Sequence, residues 1–311
     1  MCRIQHLVTV MTNLYEPRIG VYEKALPTEM TWHERFKTVN ELGFSFIELS
    51  IDESDERLSR LFWNDEQISQ IVQLSRASGV TLHSMCLSAH RRFPFGSADE
   101  SVRRQARNIM QQAIALAQKL GIRVIQLAGY DVYYEPHTDA SHLRFIEGMN
   151  YCAKLAEKAG IMLGVEIMDT DYLNSIGKYL LLKRAVDSPY FRVYPDVGNL
   201  TGWGNNVTTE LRLGADHIVG VHLKDCQKVS ETSKGKFRDM VIGDGDVDFK
   251  GVISTLVDMD CQVPLVIEMW AQNNEWAQNN EWSENLRVAK ARIDDIVASI
   301  NELNEQKRRW C

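Results

Sequence analysis

Short apolar runs alternate with longer amphipathic stretches along almost the whole chain. Runs of four to eight apolar or β-branched residues read as strands, and stretches with apolar positions three and four apart read as helices. On this basis strands are expected near 18–23, 45–51, 80–87, 122–128, 161–168, 191–196, 217–223 and 264–269. Helices fit between them at about 32–42, 64–78, 99–120, 139–159, 174–187, 206–214 and 249–260, and an eighth follows from about 283 to 303. A glycine recurs between helix and strand, as in Leu42-Gly43, Ser78-Gly79, Leu120-Gly121 and Ala159-Gly160. Glycine just past a helix is the usual left-handed cap, where a Cβ would be strained. Eight β–α units in a chain of this length predict an α/β fold, a single-domain (β/α)8 TIM barrel. A doubly wound open sheet is the competitor, weakened because no Gly-rich phosphate fingerprint follows the first strand.

Four of the strands end in, or near, a residue that binds metals: Leu163-Gly-Val-Glu166, Val193-Tyr-Pro-Asp196, Val219-Gly-Val-His222 and Leu265-Val-Ile-Glu268. Taken singly, a strand-end carboxylate more often caps a helix or pairs with a cation, and a lone strand histidine is often a core residue. Taken together, four ligand types on successive strands would be costly to bury unpaired, and a shared divalent cation removes that cost. Barrels of this kind build their sites at the C-terminal ends of the strands. Three carboxylates and one imidazole suit Mn, Mg or Co, with Zn also compatible. Glu166 and Glu268 come from strands five and eight. They could address opposite faces of a chelated substrate, one removing a proton from carbon and the other returning one, while the metal polarises the neighbouring carbonyl.

Composition narrows the partners. The formal net charge is −7, which disfavours duplex nucleic acid and anionic membranes as partners. No apolar run approaches the ~20 residues of a membrane span. The six cysteines are widely and irregularly spaced with no C-x-x-C pair, as expected of reduced thiols in the cytoplasm. Residues 1–13 read as an N-terminal extension, and 14–311 as the barrel domain. A tandem repeat, Ala271-Gln-Asn-Asn-Glu-Trp276 and Ala277-Gln-Asn-Asn-Glu-Trp282, follows the last strand. It reads as a duplication in a tolerant loop, and less readily as an aromatic lid carrying Trp276 or Trp282.

Longer motifs add a family resemblance. They are Ile19-Gly-Val-Tyr-Glu-Lys-Ala-Leu-Pro27, Asp52-Glu-Ser-Asp-Glu-Arg-Leu-Ser-Arg60, Ser84-Met-Cys-Leu-Ser-Ala-His-Arg-Arg-Phe-Pro94, Ile125-Gln-Leu-Ala-Gly-Tyr-Asp-Val-Tyr-Tyr134, Glu166-Ile-Met-Asp169, Tyr194-Pro-Asp-Val-Gly-Asn-Leu200 and Ile267-Glu-Met-Trp270. Across residues 18 to 270 the chain resembles the sugar-isomerase-like barrels, which include xylose isomerase, ketose 3-epimerases and the endonuclease IV type of DNA-repair enzyme. More narrowly, it resembles the L-ribulose-5-phosphate (L-xylulose-5-phosphate) 3-epimerases of bacterial ascorbate and pentose utilisation. The resemblance implies one divalent metal held by Glu166, Asp196, His222 and Glu268, with both glutamates as catalytic acid and base. It also implies a ketopentose 5-phosphate substrate and a homodimer. An aldose–ketose isomerase and a DNA-repair nuclease are the alternatives.

Asn199 bears on the second alternative. Many relatives of that superfamily place a histidine three residues after the aspartate, and in the nuclease branch it helps hold further zinc ions. Asparagine is a poor ligand, so one metal is expected, with Asn199 free to bond a substrate hydroxyl. Candidate phosphate donors are Lys24 after the first strand, His90 and Arg91 after the third, and Lys224, two residues past His222 and hence on the same strand face. Glu23 and Gln126 are expected at sugar hydroxyls.

Overall fold

The computed structural model describes residues 14–271 and 281–309. The expectations for residues 1–13 and for most of the tandem repeat lie outside them. Trp282, at the end of the repeat, opens the last helix and packs partly buried against the core.

Eight parallel strands form one sheet: β1 (Ile19–Tyr22), β2 (Phe46–Ile51), β3 (Thr81–Leu87), β4 (Val124–Leu127), β5 (Met162–Glu166), β6 (Phe191–Tyr194), β7 (Val221–Leu223) and β8 (Leu265–Ile267). Their order is β6-β5-β4-β3-β2-β1-β8-β7. The remaining seam is joined by the parallel bridges Val193↔Ile218 and Asp196↔His222, where His222 N donates to Pro195 O at 2.9 Å. The sheet thus curls into the expected barrel.

The connecting helices are α1 (Trp32–Glu41), α2 (Asp55–Ser59), α3 (Asp65–Ser78), α4 (Glu100–Leu120), α5 (Asp139–Ala159), α6 (Ile176–Ala185), α7 (Val197–Gly202), α8 (Val207–Leu213), α9 (Phe249–Asp258) and α10 (Trp282–Arg309). Asn64, Asp99, Thr138 and Ser175 cap the N-termini of α3, α4, α5 and α6 by accepting backbone N–H bonds, each satisfying a donor with no partner inside the helix. Gly79, Gly121 and Gly160 end α3, α4 and α5 at φ +75°, +76° and +68°, the left-handed caps read from the sequence. The short helices α2 and α7 were not foreseen. Each lies just after a strand end, in a stretch too brief to show a helical period.

Successive strand residues point to opposite faces. One set, including Val21, Ile47, Leu49, Met85, Ile125, Leu163, Val193, Val221, Leu265 and Ile267, joins the large apolar core between strands and helices. The alternate set includes Tyr22, Phe46, Glu48, Ser84, Gln126, Glu166, Tyr194, His222 and Val266, and all of these are buried. That interior is closely fitted. A Cβ on Gly164 would lie 2.9 Å from the Tyr194 ring, and one on Gly220 would lie 2.5 Å from it. The two glycines therefore make room for a large ring beside His222.

Candidate active site

The four predicted ligands converge. One ligand atom from each of Glu166, Asp196, His222 and Glu268 lies within 4.8 Å of the others, and all four residues are buried. Glu166 is the last residue of β5, Asp196 follows β6, His222 is the middle of β7 and Glu268 follows β8. Asp196 also caps α7. Its Oδ1 accepts from Asn199 N at 2.8 Å, which fixes the carboxylate and turns Oδ2 into the site.

His222 Nδ1 lies 3.1 Å from Glu166 Oε1 and 2.9 Å from Glu268 Oε2. Its other nitrogen, Nε2, lies 2.7 Å from Glu48 Oε1. Glu48, on β2, is fully buried, and its Oε2 accepts from Ser84 Oγ at 2.6 Å and from Tyr194 Oη at 3.2 Å. The sequence reading missed Glu48. A carboxylate on the outer nitrogen of a histidine makes that nitrogen the donor and directs the inner one to a metal.

The donor set fits a divalent cation. Three carboxylates meet in a buried space, and two of their oxygens, Asp196 Oδ2 and Glu268 Oε2, receive no aligned hydrogen bond among the described residues. Lys224 Nζ, 2.7 Å from Asp196 Oδ2 and 4.0 Å from Glu268 Oε2, supplies part of the missing positive charge. Burial pushes the carboxyls of Glu166 and Asp196 up, Glu166 also through repulsion by Glu268. Burial acts the same way on Glu268, but Lys224 and His222 outweigh it and hold that carboxyl low. Burial opposes the charged form of His222, yet the carboxylates of Glu268 and Glu48 raise its basicity well above the ordinary value. Such a charge-dense cluster is costly to bury without a cation.

The other predicted residues divide into two groups. Lys24, Arg91, Asn199 and Lys224 line one cavity with Glu166 and Glu268. Gln126, beneath it, donates its Nε2 to Glu166 Oε2 and is fully buried. Asn199 uses its carbonyl on Lys224 Nζ at 2.7 Å, and its Nδ2 donates to Ile167 O at 2.9 Å. It thereby steadies Lys224.

Glu23 and His90 do not reach the cavity wall. Glu23 is fully buried among Arg35, Arg57 and Arg60 and accepts from Ser50 N at 2.8 Å. It has the parity of the helix-facing set, so it turns toward α1 and α2 and not into the barrel. His90 is also buried, with Nε2 3.2 Å from Ala106 O and its ring 4.6 Å from that of Phe95. Tyr22, Ser88, Arg238 and Trp270 also line the cavity, and the sequence reading did not single them out.

A family model described as xylose isomerase-like TIM barrel matches residues 36–292. The chain belongs to this family. A protein of Escherichia coli (strain K12), named provisionally as the L-ribulose-5-phosphate 3-epimerase SgbU, is 51% identical over 255 residues, 82% of this chain and 89% of that one. The L-ribulose-5-phosphate 3-epimerase UlaE of Salmonella heidelberg (strain SL476) is 47% identical over 257 residues, 83% of this chain and 88% of that one. A solved structure of L-ribulose 3-epimerase superposes with a TM-score of 0.72 at 20% identity, covering 94% of this chain and 98% of that one. At that identity the likeness is one of fold. No described helix is long and apolar enough to cross a membrane.

Proposed function

We propose that the protein is a divalent-metal-dependent 3-epimerase that interconverts L-ribulose 5-phosphate and L-xylulose 5-phosphate. The observation that carries the reading is the pair Glu166 and Glu268. They arrive from non-adjacent strands at one histidine nitrogen, 3.1 and 2.9 Å away, and both line the cavity. The relatives named as 3-epimerases supply the substrate class.

Glu166, Asp196, His222 and Glu268 would hold the metal, whose charge makes the proton beside a substrate carbonyl more acidic. The residues of the chain then divide the work. One glutamate takes the proton from C3 and the other delivers one to the opposite face, so the stereocentre inverts and no proton is gained or lost overall. In the reverse direction the two exchange roles. Gln126 orients Glu166 through its amide, and Lys224 holds Glu268 ionised. Lys224 is itself anchored by Asp196 and Asn199, so it restrains the site without entering the proton path.

With this reading go a homodimer and a cytoplasmic setting in pentose or L-ascorbate use. The described cysteines, Cys86, Cys152, Cys226 and Cys261, are free thiols, which agrees with a reducing compartment. Sedimentation measures the first and cell fractionation the second. The test of the activity itself is turnover of both pentulose 5-phosphates with a panel of metals. Glu166→Gln and Glu268→Gln should each lower kcat by about 10²–10⁴-fold while the far-ultraviolet spectrum stays unchanged. Near-normal turnover by either variant would contradict the two-glutamate mechanism.

A further inference from the structure

The layer of helices around the barrel is not closed evenly. α4 packs along α5, and α6 along α8, but an apolar groove of about 270 Å³ runs between α5 and α6. Ile146 of α5 and Leu181, Leu182 and Ala185 of α6 line it, and Asn150 Nδ2 spans it to Ala185 O at 2.9 Å. Leucines stand out from both of its edges: Leu143 on α5 is 65% exposed and Leu181 on α6 is 63% exposed. A helix on the outside of a barrel normally turns a polar face to water. α6 buries Ile176, Tyr179 and Leu182 on its inner side and still carries Leu180 and Leu181 beyond them.

The charges beside these leucines are sorted by helix. On the outer side of α5, Asp139, Leu143 and Glu147 follow at intervals of four, all exposed, a spacing that stacks them in one row. On α6, Lys178, Leu181 and Arg184 follow at intervals of three. One row reads acid, leucine, acid, and the other base, leucine, base. The rows also match in height, because both helices start at the same rim of the barrel. Glu147 and Arg184 are each the ninth residue, counted from Asp139 and from Ile176. A second copy related by a two-fold axis along the helices lays α5 of each copy on α6 of the other, so both rows meet their complements. An axis across the helices would lay α5 on α5 and bring Asp139 against Glu147, like charge on like. Lys178 already lies 3.1 Å from Asp171 Oδ1, which leaves Glu147 and Arg184 as the deciding pair.

We infer that the α5–α6 face is the docking surface for a second copy of this chain, with the barrel mouths of the two copies opening in the same direction. This gives a place to the homodimer of the proposed reading and needs no particular substrate. The test is sedimentation of wild type, Leu181→Asp, Glu147→Arg and Arg184→Glu. Wild type should be a dimer. Each variant should raise the dimer Kd by about 100-fold, because each change is repeated across the two-fold axis and a mismatched charge in an interface is strongly unfavourable. Glu147 also borders Arg103 and Arg107 on the α4 side, so urea unfolding of each variant separates a folding cost from a docking cost. Mixing Glu147→Arg with Arg184→Glu is the sharper measurement. In the mixed pair each reversed charge meets an opposite one at both contacts, so the dimer should return. A monomeric wild type, variants that dimerise as wild type does, or a mixture of folded variants that stays monomeric would each overturn the inference. If wild type dimerises but turns over neither pentulose 5-phosphate, the functional reading fails while the charge swap still judges this surface.

Discussion

Glu48 Oε1 lies 2.7 Å from His222 Nε2, although the two residues are 174 positions apart. The contact crosses the barrel interior from β2 to β7 and sets which nitrogen of His222 faces the other three ligands. Ser84 and Tyr194 fix Glu48 in turn. Removing its charge should therefore loosen the metal without unfolding the protein. Glu48→Gln is expected to weaken Mn2+ binding by about 10–100-fold, as read by calorimetric titration of metal-free enzyme. Affinity equal to wild type would mean that the contact serves packing alone.

The Glu23 cluster predicts a different phenotype. This carboxylate is fully buried with Arg35, Arg57 and Arg60 around it, and those charges hold it ionised against the effect of burial. Glu23→Gln removes the counter-charge shared by three guanidinium groups, leaving Arg57 with Asp52 at 3.5 Å and Arg60 with Glu56 at 3.7 Å. The expected loss is about 3–5 kcal/mol in urea unfolding, with KM for the sugar phosphate unchanged in the protein that remains folded. A raised KM with full stability would instead return Glu23 to the substrate.

His90 makes the protein sensitive to acid. Burial lowers its pKa from 6.5 to about 4, although the Ala106 carbonyl opposes the shift. The folded state therefore prefers the neutral ring, and below pH 6.5 the unfolded chain takes up the proton first. The stability contributed is complete above about pH 6.5 and falls away as the pH drops toward 4, by roughly 3 kcal/mol in all. Urea unfolding at pH 7 and pH 4.5 should show a smaller acid loss for His90→Gln than for wild type. Equal losses would place the acid sensitivity elsewhere.

Much of this was legible in the chain because the barrel repeats one local grammar. Apolar runs, helix caps and the glycines at 79, 121 and 160 located the strands and helices within a few residues. Glu166, Asp196, His222 and Glu268 stood out because ligand-type residues end four apolar runs in succession. Glu48 was hidden in Phe46-Ile-Glu-Leu-Ser-Ile51, where a single carboxylate among apolar neighbours has no partner in sequence. Its partner is supplied only when β2 and β7 face each other. Strand parity was the available signal: Phe46, Glu48 and Ser50 alternate with the helix-facing Ile47, Leu49 and Ile51. The same parity separates Tyr22, which faces the site, from Glu23, which turns to the arginines. Arg238 lay in a polar stretch without period, and Trp270, where the chain returns to the cavity, is what brings it to the site.

The most direct test of the central claim is the position of solvent hydrogen in the product. Metal-loaded enzyme is given L-ribulose 5-phosphate in heavy water, and the L-xylulose 5-phosphate formed is read by proton and carbon magnetic resonance. Proton exchange through Glu166 and Glu268 predicts one deuterium at C3 and none at C1. Deuterium at C1, or an aldose as the product, would contradict epimerisation and indicate carbonyl transfer between the first two carbons.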